Sequence, residues 1–318
     1  MILHFTDPPY VVTESTDLSN LEEEKDSVTM RCMSESNPPA KVWWEKEGVN
    51  GVFSPEREIT ISPVTRTTAG TYKCVAQNAL GLSQPAFVQL DVKYAPSIAN
   101  VGPSKYISAH VRNSTTLSCI AEGNPVPRYQ WLQKLPTHEV LIRGYSQYLT
   151  LTNVTYEHQG EYVCKAVNVI NGEKRSVQSD PIIVEVTGAP QVTDFGTTGQ
   201  EFQVGLGEEA LLEVRFCADP LPEQLWHLGE TGDNMILAAG STHKRFIVET
   251  VRKLKEDCYI STLRILNVKL ADATIYELRL TNAHGTDSYK IELKVRGKII
   301  FFKTKKTCDR MHPLIFFF

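Results

Sequence analysis

The chain has 318 residues, of which 42% are hydrophobic and 22% are charged, and its formal net charge is −4. This composition is ordinary for folded protein, and the length allows two or three domains. A mildly acidic balance gives no electrostatic basis for binding nucleic acid or an anionic membrane, so we expect neither partner. The sequence has no run of about 18 apolar residues, so we expect no direct membrane span in this chain.

One pattern of residues occurs three times, at intervals of about ninety residues. Each copy has a strand that carries a cysteine, then a tryptophan, then a tyrosine two residues before a second core position. Such a pattern predicts a sandwich of two antiparallel sheets with the indole packed in its middle. The three sets are Cys32, Trp44, Tyr72 and Cys74; Cys119, Trp131, Tyr162 and Cys164; and Phe216, Cys217, Trp226, Tyr276 and Leu278.

The repeat predicts an all-β chain of three tandem antiparallel sandwiches in an extended rod. We place the first domain at residues 9–94, the second at 96–187 and the third at 190–296, where alternating apolar residues mark the strands. Ala95-Pro96 is predicted to break the last strand of the first sandwich, and Gly188-Ala189-Pro190 forms the next linker. Because both linkers are only a few residues long, we expect limited hinge motion between neighbouring domains.

No segment of the chain has the pattern of a long helix. The stretch from Leu21 to Lys25 has helical composition, but it is short and precedes a strand, so we predict a solvated turn. Residues 297–318 combine apolar ends with a basic middle, and we expect them to be disordered or an artefact of an incomplete gene model. The first residues do not have the features of a signal peptide, and we expect the natural product to continue beyond both ends.

Two further motifs are shared by the first and second repeats. They are Cys74-Val75-Ala76-Gln77-Asn78 with Gly81, Cys164-Lys165-Ala166-Val167-Asn168 with Gly172, and the Asn-Pro steps at Asn37 and Asn124. These motifs resemble the I-set and C2-type domains of the immunoglobulin superfamily, and the likeness extends over about 290 residues. The tandem domains and their linkers are similar to those of invertebrate nephrin-, kirre- and echinoid-like adhesion receptors.

The resemblance implies core disulfides between Cys32 and Cys74 and between Cys119 and Cys164. It also implies extracellular protein–protein recognition in cell–cell adhesion, through docking of domain faces with cell-surface proteins that include copies of the same chain. A soluble form or a signalling-receptor ectodomain that binds a protein ligand is the alternative. The chain is accordingly expected at the cell surface, through a segment absent from this sequence, or as a secreted protein.

A third class, an intracellular structural array of the muscle type, is disfavoured by the cysteine pairs, which indicate an oxidising compartment. Two Asn-x-Ser/Thr sequons, at Asn113 and Asn153, point in the same direction. Both lie at predicted strand ends or turns, where a glycan would be tolerated. We therefore predict N-glycosylation at these two asparagines.

The third repeat has lost the second cysteine of the core pair, because Leu278 occupies its position. Leu212, Val214 and Phe216 alternate as the inward face of their strand. Phe216 is therefore predicted to meet Leu278 beneath Trp226, so that an apolar pair replaces the disulfide in this core.

The same alternation points Cys217 away from the core. On a later strand Leu263 and Ile265 face inward, so Cys258 also faces outward. In this fold the two strands are neighbours, and directly opposed cysteines can be bridged. We predict a surface disulfide between Cys217 and Cys258, with two free thiols or a bond to Cys308 as the alternatives.

Related domains usually carry an aspartate six residues before the second core cysteine, where it pairs with an arginine. Thr68 replaces this aspartate in the first repeat and His158 replaces it in the second, whereas the third repeat keeps Asp272. The Asp–Arg ion pair is therefore expected only in the third repeat.

The sequence shows no motif for catalysis, and we expect no enzyme activity, no cofactor and no metal. Cys308 and His312 share the spacing of metal ligands, but two ligands make a poor site. Gly205-Leu206-Gly207 is predicted to be a turn rather than a phosphate-binding loop.

The candidate protein-binding residues are on the first repeat. Trp44 takes the core position, so its neighbour Trp43 must face the opposite way. By the same alternation Val75 and Phe87 face outward on neighbouring strands, and the three side chains would form an exposed apolar patch of the kind that marks binding sites. The alternative is that Trp43 only stacks under a local loop or a neighbouring strand.

Overall fold

The computed structural model describes residues 6–135, 138–194, 200–229 and 235–297. The predictions for the first five residues and for the tail after Gly297, with Cys308 and His312, lie outside the described residues. The described residues form β-strands joined by turns, with two single-turn 3₁₀ helices. This confirms the all-β fold class.

The described strands follow one another in three groups along the chain. The first group is β1 (Asp7–Ser15), β2 (Leu21–Glu22), β3 (Val28–Asn37), β4 (Lys41–Lys46), β5 (Glu58–Ile61), β6 (Gly70–Asn78), β7 (Gly81–Leu82) and β8 (Ala86–Leu90). The second group is β9 (Val92–Gly102), β10 (Tyr106–His110), β11 (Thr115–Asn124), β12 (Arg128–Lys134), β13 (Val140–Gly144), β14 (Tyr148–Leu151), the 3₁₀ helix η1 (Tyr156–His158), β15 (Gly160–Ile170) and β16 (Glu173–Gln178). The third group is β17 (Ile182–Asp194), β18 (Glu201–Gly205), β19 (Ala210–Asp219), β20 (Glu223–Leu228), β21 (Met235–Ala238), β22 (Thr242–His243), β23 (Phe246–Val248), β24 (Arg252–Lys255), β25 (Cys258–Ile265), the 3₁₀ helix η2 (Leu270–Asp272), β26 (Ile275–Asn282) and β27 (Gly285–Arg296).

The described residues group into two compact units, and the second repeat is divided between them. The first unit comprises residues 6–105, 116–135, 138–150 and 160–183. The second unit comprises residues 106–115, 151–159, 184–194, 200–229 and 235–297. The domain boundaries at 9–94, 96–187 and 190–296 therefore stay predictions.

In the first unit, the first repeat forms two sheets. One has the strand order β1–β3–β5, and the other places β6 between β4 and β8, with β7 beside β6. Val28, Met30 and Cys32 alternate inward along β3 and are buried, as the period-2 pattern predicts. Trp44 and Tyr72 are completely buried between the sheets.

The second repeat contributes two further sheets to the first unit. β11 lies between β9 and β14 in one sheet, and in the other β12 lies between β13 and β15, with β16 outside β15. Trp131 is directly opposite Cys164, and both are fully buried with Leu117, Cys119 and Tyr162.

The prediction of a solvated turn from Leu21 is wrong for its first two residues. Leu21 and Glu22 form β2, which pairs in parallel with Val92 and Lys93 of β9. Leu21 is buried because its apolar side chain packs with the other apolar residues of the first core. Pairing with β9 and burial of Leu21 therefore outweighed the helical composition of these five residues.

The predicted break of the strand at Ala95-Pro96 is also wrong. β9 runs without interruption from Val92 to Gly102, and β17 likewise includes Gly188-Ala189-Pro190. Proline restricts φ to values that a strand tolerates and lacks only its own N–H, so a strand can pass through it where no ladder bond needs that donor.

In the second unit, the third repeat also forms two sheets. β19 pairs with the end of β17 on one side and with β25 on the other, and β23 and β24 both pair with β25. The opposite sheet has the order β18–β27–β26–β20–β21, in which β18 and β27 are parallel. Their core is apolar and fully buried around Leu212, Val214, Phe216, Trp226 and Leu278.

Candidate protein-binding site

Disulfides join the two sheets in the first and second repeats. Cys32 is bonded to Cys74 with a Cα–Cα distance of 6.0 Å, and Cys119 is bonded to Cys164 with a distance of 6.4 Å. All four cysteines are buried, and each second cysteine lies opposite the core tryptophan. This arrangement makes a rigid support for side chains on the outer face of each sheet.

The third repeat replaces this pin by an apolar contact. Phe216 and Leu278 are completely buried, and Trp226 pairs with Leu278 across neighbouring strands. The ring of Phe216 lies 5.7 Å from that of Tyr259, and the Trp226 indole donates to the Ser261 hydroxyl at 3.0 Å. The core position thus holds more apolar volume than a disulfide would provide.

The structure joins Cys217 to Cys258 as directly opposed residues of β19 and β25. The predicted surface location is wrong, since only 3% of Cys217 and 4% of Cys258 is exposed. Outward-facing side chains were expected to meet solvent. Both cysteines are instead flanked within the sheet, because Gln191 of β17 pairs with Cys217 and Lys255 of β24 pairs with Cys258.

Asp272, the aspartate kept only in the third repeat, makes the predicted ion pair with an arginine. The Arg245 guanidinium donates to both carboxylate oxygens of Asp272, and this hydrogen bonding raises the pKa of Arg245. Asp272 is buried and also accepts the backbone N–H of Lys269 at 2.7 Å.

Thr68 and His158 keep one part of the role of that aspartate. The Thr68 hydroxyl accepts the N–H of Thr65 at 2.9 Å, and the Nδ1 of His158 accepts the N–H of Thr155 at 3.0 Å. Both therefore close the same three-residue turn as Asp272, without an ion pair. The local turn is kept without the aspartate because a hydroxyl or an imidazole nitrogen can also accept a hydrogen bond from a backbone N–H.

An asparagine holds the same position in all three repeats, four residues after the second core position. Its side-chain amide donates to the carbonyl of the proline in the Asn-Pro or Asp-Pro step and to a carbonyl of the chain entering the repeat. This contact explains why the two sequence motifs occur together. The contacts are Asn78 to Pro38 and Asp7, at 2.9 and 3.3 Å; Asn168 to Pro125 and Tyr94, at 3.0 and 2.9 Å; and Asn282 to Pro220 and Gly188, at 2.8 and 2.8 Å.

Trp43, Val75 and Phe87 share the outer face of the β4–β6–β8 sheet. Trp43 pairs with Val75, and Phe87 lies one row along, opposite Lys73. Phe87 is 61% exposed and Trp43 is half-buried, but Val75 is only 6% exposed. The prediction of an exposed patch is therefore wrong for Val75, because its cross-strand partner is a bulky indole.

Polar contacts hold the Trp43 ring in place on this face. Its Nε1 donates to Glu45 at 2.9 Å, and the Lys73 ammonium pairs with the other oxygen of Glu45 at 2.7 Å. Hydrogen bonds from Lys73 and then from Trp43 lower the pKa of Glu45. The outer face of the first repeat thus presents two aromatic rings beside a charge pair that is already compensated.

The two predicted glycosylation sites are neighbours in the second unit. Asn113 and Asn153 are both exposed, and the N–H of Val154 donates to the carbonyl of Asn113 at 2.9 Å. Their proximity could not be read from residues forty positions apart in the sequence.

One further surface, on the second repeat, has no signal in the sequence motifs. A groove of 730 Å³ lies on the outer side of the β12 and β15 strands, between Tyr145 and Lys174. Its exposed valines give no signal in the sequence, because single apolar residues at strand ends are common on protein surfaces.

No helix among the described residues combines the length and apolarity needed to cross a membrane. In the same part of the chain, no group of three or more His, Cys, Asp or Glu side chains is arranged to hold a metal ion.

Comparisons with known proteins agree with this architecture. A family model described as Immunoglobulin domain matches residues 8–78 and 95–168, and a model described as Immunoglobulin I-set domain matches residues 193–295. The two models together cover more than three quarters of the chain.

Human hemicentin-1 is 26% identical over an alignment of 304 residues, and the match covers 91% of this chain and 5% of hemicentin-1. Human Roundabout homolog 2 is 27% identical over an alignment of 290 residues, and the match covers 86% of this chain and 19% of that protein. The chain therefore spans only a small part of these relatives.

A chain in the crystal structure of Dpr2 Ig1-Ig2 in complex with DIP-Theta Ig1-Ig3 has a similar fold, with a TM-score of 0.56 at 20% identity. The match covers 90% of this chain and 100% of that chain, and it bears on the fold alone. The matching family models and the paired sheets lead to one conclusion: the chain belongs to the immunoglobulin superfamily.

Proposed function

We propose that the chain acts in extracellular protein–protein recognition of the kind used in cell–cell adhesion. Its domain faces would dock with cell-surface proteins, which include second copies of the chain itself. It has no catalytic role in this proposal, and it is displayed at the cell surface or secreted.

The observation that carries the proposal is the outer face of the first repeat. Phe87 is exposed, and Trp43 is half-buried and oriented by Glu45. Aromatic side chains held in place lose little conformational entropy on binding, and tryptophan and tyrosine are enriched among residues that dominate binding energy. A Trp43 ring in a defined position is therefore suited to contact another protein.

Two further observations support the proposal. Three disulfides fit an oxidising extracellular compartment, and the exposed sequons at Asn113 and Asn153 are accessible for glycosylation. The similar solved structure contains Ig modules of Dpr2 in complex with Ig modules of DIP-Theta, so one protein of this fold binds another through such modules.

The test uses beads coated with the full chain, because many weak contacts add up on a surface. Homophilic binding would aggregate the beads, and a panel of cell-surface ectodomains would detect a heterophilic partner. The variant Trp43→Ser should reduce aggregation or partner binding by about tenfold or more, the scale of one strong contact.

The matched control is Tyr10→Ser, which removes an exposed aromatic residue from the opposite sheet of the same repeat. It should leave binding unchanged. A folded Trp43→Ser protein that binds as well as the wild type would remove the functional role of this face.

A further inference from the structure

The groove on the second repeat combines three properties that do not occur together on the outer face of the first repeat. They are several exposed apolar side chains, cations without an ion-pair partner in the described part of the chain, and walls that hydrogen bonds hold in place. The groove lies entirely within the first unit and is lined by the outer side of β12 and β15, the start of β16 and two neighbouring turns. Its walls are predominantly apolar. The side chains that matter are Val126, Arg128, Tyr145, Val167, Val169 and Lys174.

The apolar residues of the groove are unusually open to solvent. Val126 is 85% exposed, Tyr145 is 68% exposed and Val169 is 54% exposed. Single exposed apolar side chains are normal, but a cluster of large ones around one depression marks a surface that a partner covers. Covering them would contribute favourable free energy roughly in proportion to the apolar area removed from water.

The charges around the groove are all of one sign. Arg128 and Lys174 line it, and Lys165 lies on the same face, one row from Arg128. None of the three has an ion-pair partner among the described residues, and no aspartate or glutamate is among the residues that line the groove. On the first-repeat face, by contrast, Lys73 is neutralised by Glu45.

The groove is also held in a defined shape. Asn168, at its floor, is buried and donates to the carbonyls of Tyr94 and Pro125. The Tyr129 hydroxyl contacts both the N–H and the carbonyl of Ala121, at 3.1 and 3.3 Å. A site whose walls need not rearrange loses less free energy when a partner binds.

We propose that this groove is a second docking surface and that it takes an acidic segment of a protein partner, with apolar side chains seated between carboxylates. Carboxylates would meet Arg128, Lys165 and Lys174, while an aliphatic or aromatic side chain would contact Val126, Tyr145 and Val169. The valine-rich walls favour a protein over a sulfated glycan, which offers charge but little apolar surface. The proposal does not depend on the Trp43 face.

The test is a titration of the full chain with short peptides of defined composition, followed by amide chemical shifts. The first probe is an octapeptide that alternates glutamate and leucine. Lysine–leucine and glutamate–glycine octapeptides separate the contributions of charge and of apolar contact. The glutamate–leucine peptide should bind best, shift residues around the groove, and lose affinity as salt is raised, because salt screens exposed charges.

The decisive variant is Arg128→Glu combined with Lys174→Glu, which should weaken binding of the glutamate–leucine peptide by about tenfold or more. Arg252→Glu with Lys255→Glu is the matched control, since it makes the same charge change on the exposed strand β24. The control should change affinity by less than about twofold. Val126→Ser should weaken binding about fivefold. Because Val126 is exposed, this substitution should not destabilise the fold.

Several results would overturn the proposal. Equal binding of the lysine–leucine peptide, or an equal loss in the β24 control, would show that the groove does not select acidic partners. Self-association of the wild-type chain that only the Arg128→Glu and Lys174→Glu variant abolishes would identify a second copy as the occupant. Binding of a heparin octasaccharide without binding of the glutamate–leucine peptide would identify a glycan.

The outcome is separable from that of the proposed adhesion face. Trp43→Ser should leave peptide binding at the groove unchanged, because Trp43 is on the first repeat and outside the groove. Loss of peptide binding in this variant would contradict an independent second site.

Discussion

The second and third repeats hold their two sheets together in different ways, although both contain one disulfide. In the second repeat the bond from Cys119 to Cys164 crosses the core and closes a loop of 45 residues. In the third repeat the bond from Cys217 to Cys258 joins adjacent strands of one sheet and closes a loop of 41 residues. The position of the bond has changed, but the length of the loop has hardly changed.

In most such domains one disulfide both restricts the unfolded chain and fills the centre of the folded core. In the third repeat these two contributions to stability come from different residues. By the loop-entropy relation, each bond lowers the conformational entropy of the unfolded chain and so raises its free energy by about 4 kcal/mol. The value is nearly the same for both bonds because the two loops are almost equally long. The packing of the folded core depends instead on what occupies the central position. In the third repeat Phe216 and Leu278 occupy it, so this repeat has both a disulfide and an additional apolar contact.

Removing either disulfide, each in a separate variant, should have the largest effect on the free energy of unfolding. Cys119→Ala with Cys164→Ala should lower the free energy of unfolding of the second repeat by about 5 kcal/mol, from loop entropy plus a core cavity. Cys217→Ala with Cys258→Ala should cost the third repeat about 4 kcal/mol, since its central core stays filled. Hydrogen exchange of peptides from β11, β15, β19 and β25 in the full chain measures each repeat separately.

A third repeat that keeps its full protection without the Cys217–Cys258 bond would contradict the entropic explanation. The wild-type chain under reducing conditions, compared with both variants, controls for the effect of the alanine side chains.

The substitution Phe216→Ala tests the apolar replacement directly. It should destabilise the third repeat by about 3–4 kcal/mol, because a fully buried aromatic ring is lost and Trp226 and Leu278 cannot fill the space. Phe216→Leu keeps most of the volume and should cost less than about 1.5 kcal/mol. If the alanine and leucine variants unfold at the same denaturant concentration, Phe216 does not hold this core together.

Substitutions in the turns that precede the core tyrosines should lower the free energy of unfolding by a smaller amount. Asp272→Asn should cost the third repeat about 2 kcal/mol, because it removes a largely buried charge that pairs with Arg245. Thr68→Ala removes a neutral hydroxyl that accepts the N–H of Thr65 and donates to the carbonyl of Thr65, and it should cost the first repeat about 1 kcal/mol. Urea unfolding with repeat-specific hydrogen exchange measures both losses. Because asparagine can still accept the N–H of Lys269, an Asp272→Asn protein as stable as the wild type would mean that the ion pair contributes nothing to stability.

Strand alternation in the sequence accounts for much of this difference between the repeats. The period of two predicted that Phe216 faces the core and that Cys217 and Cys258 share a face, and the structure places them so. The same rule did not predict that both cysteines are buried, because alternation gives the direction of a side chain and not what flanks it. Val75 shows the same limit, since it faces outward and is nevertheless buried beside Trp43.

Some features depend on residues that are distant in sequence, and local patterns contain no information about them. The parallel pairing of Leu21 with Val92 joins segments about seventy residues apart. The groove on the second repeat brings Val126 and Tyr145 to Val169 and Lys174, which belong to separate strands and turns. These residues are spread over about fifty positions, so no short window of the sequence contains both sides of that groove.

The amino-acid sequence by itself determined the all-β class, the tandem repeat and the inward positions of the core tryptophans, because side-chain direction and periodicity are local properties of a strand. Only the tertiary structure decided which outward side chains are solvent-exposed and which cations lack a carboxylate partner. Burial and charge compensation depend on neighbours from other strands, and those neighbours are set by how the sheets pair and pack.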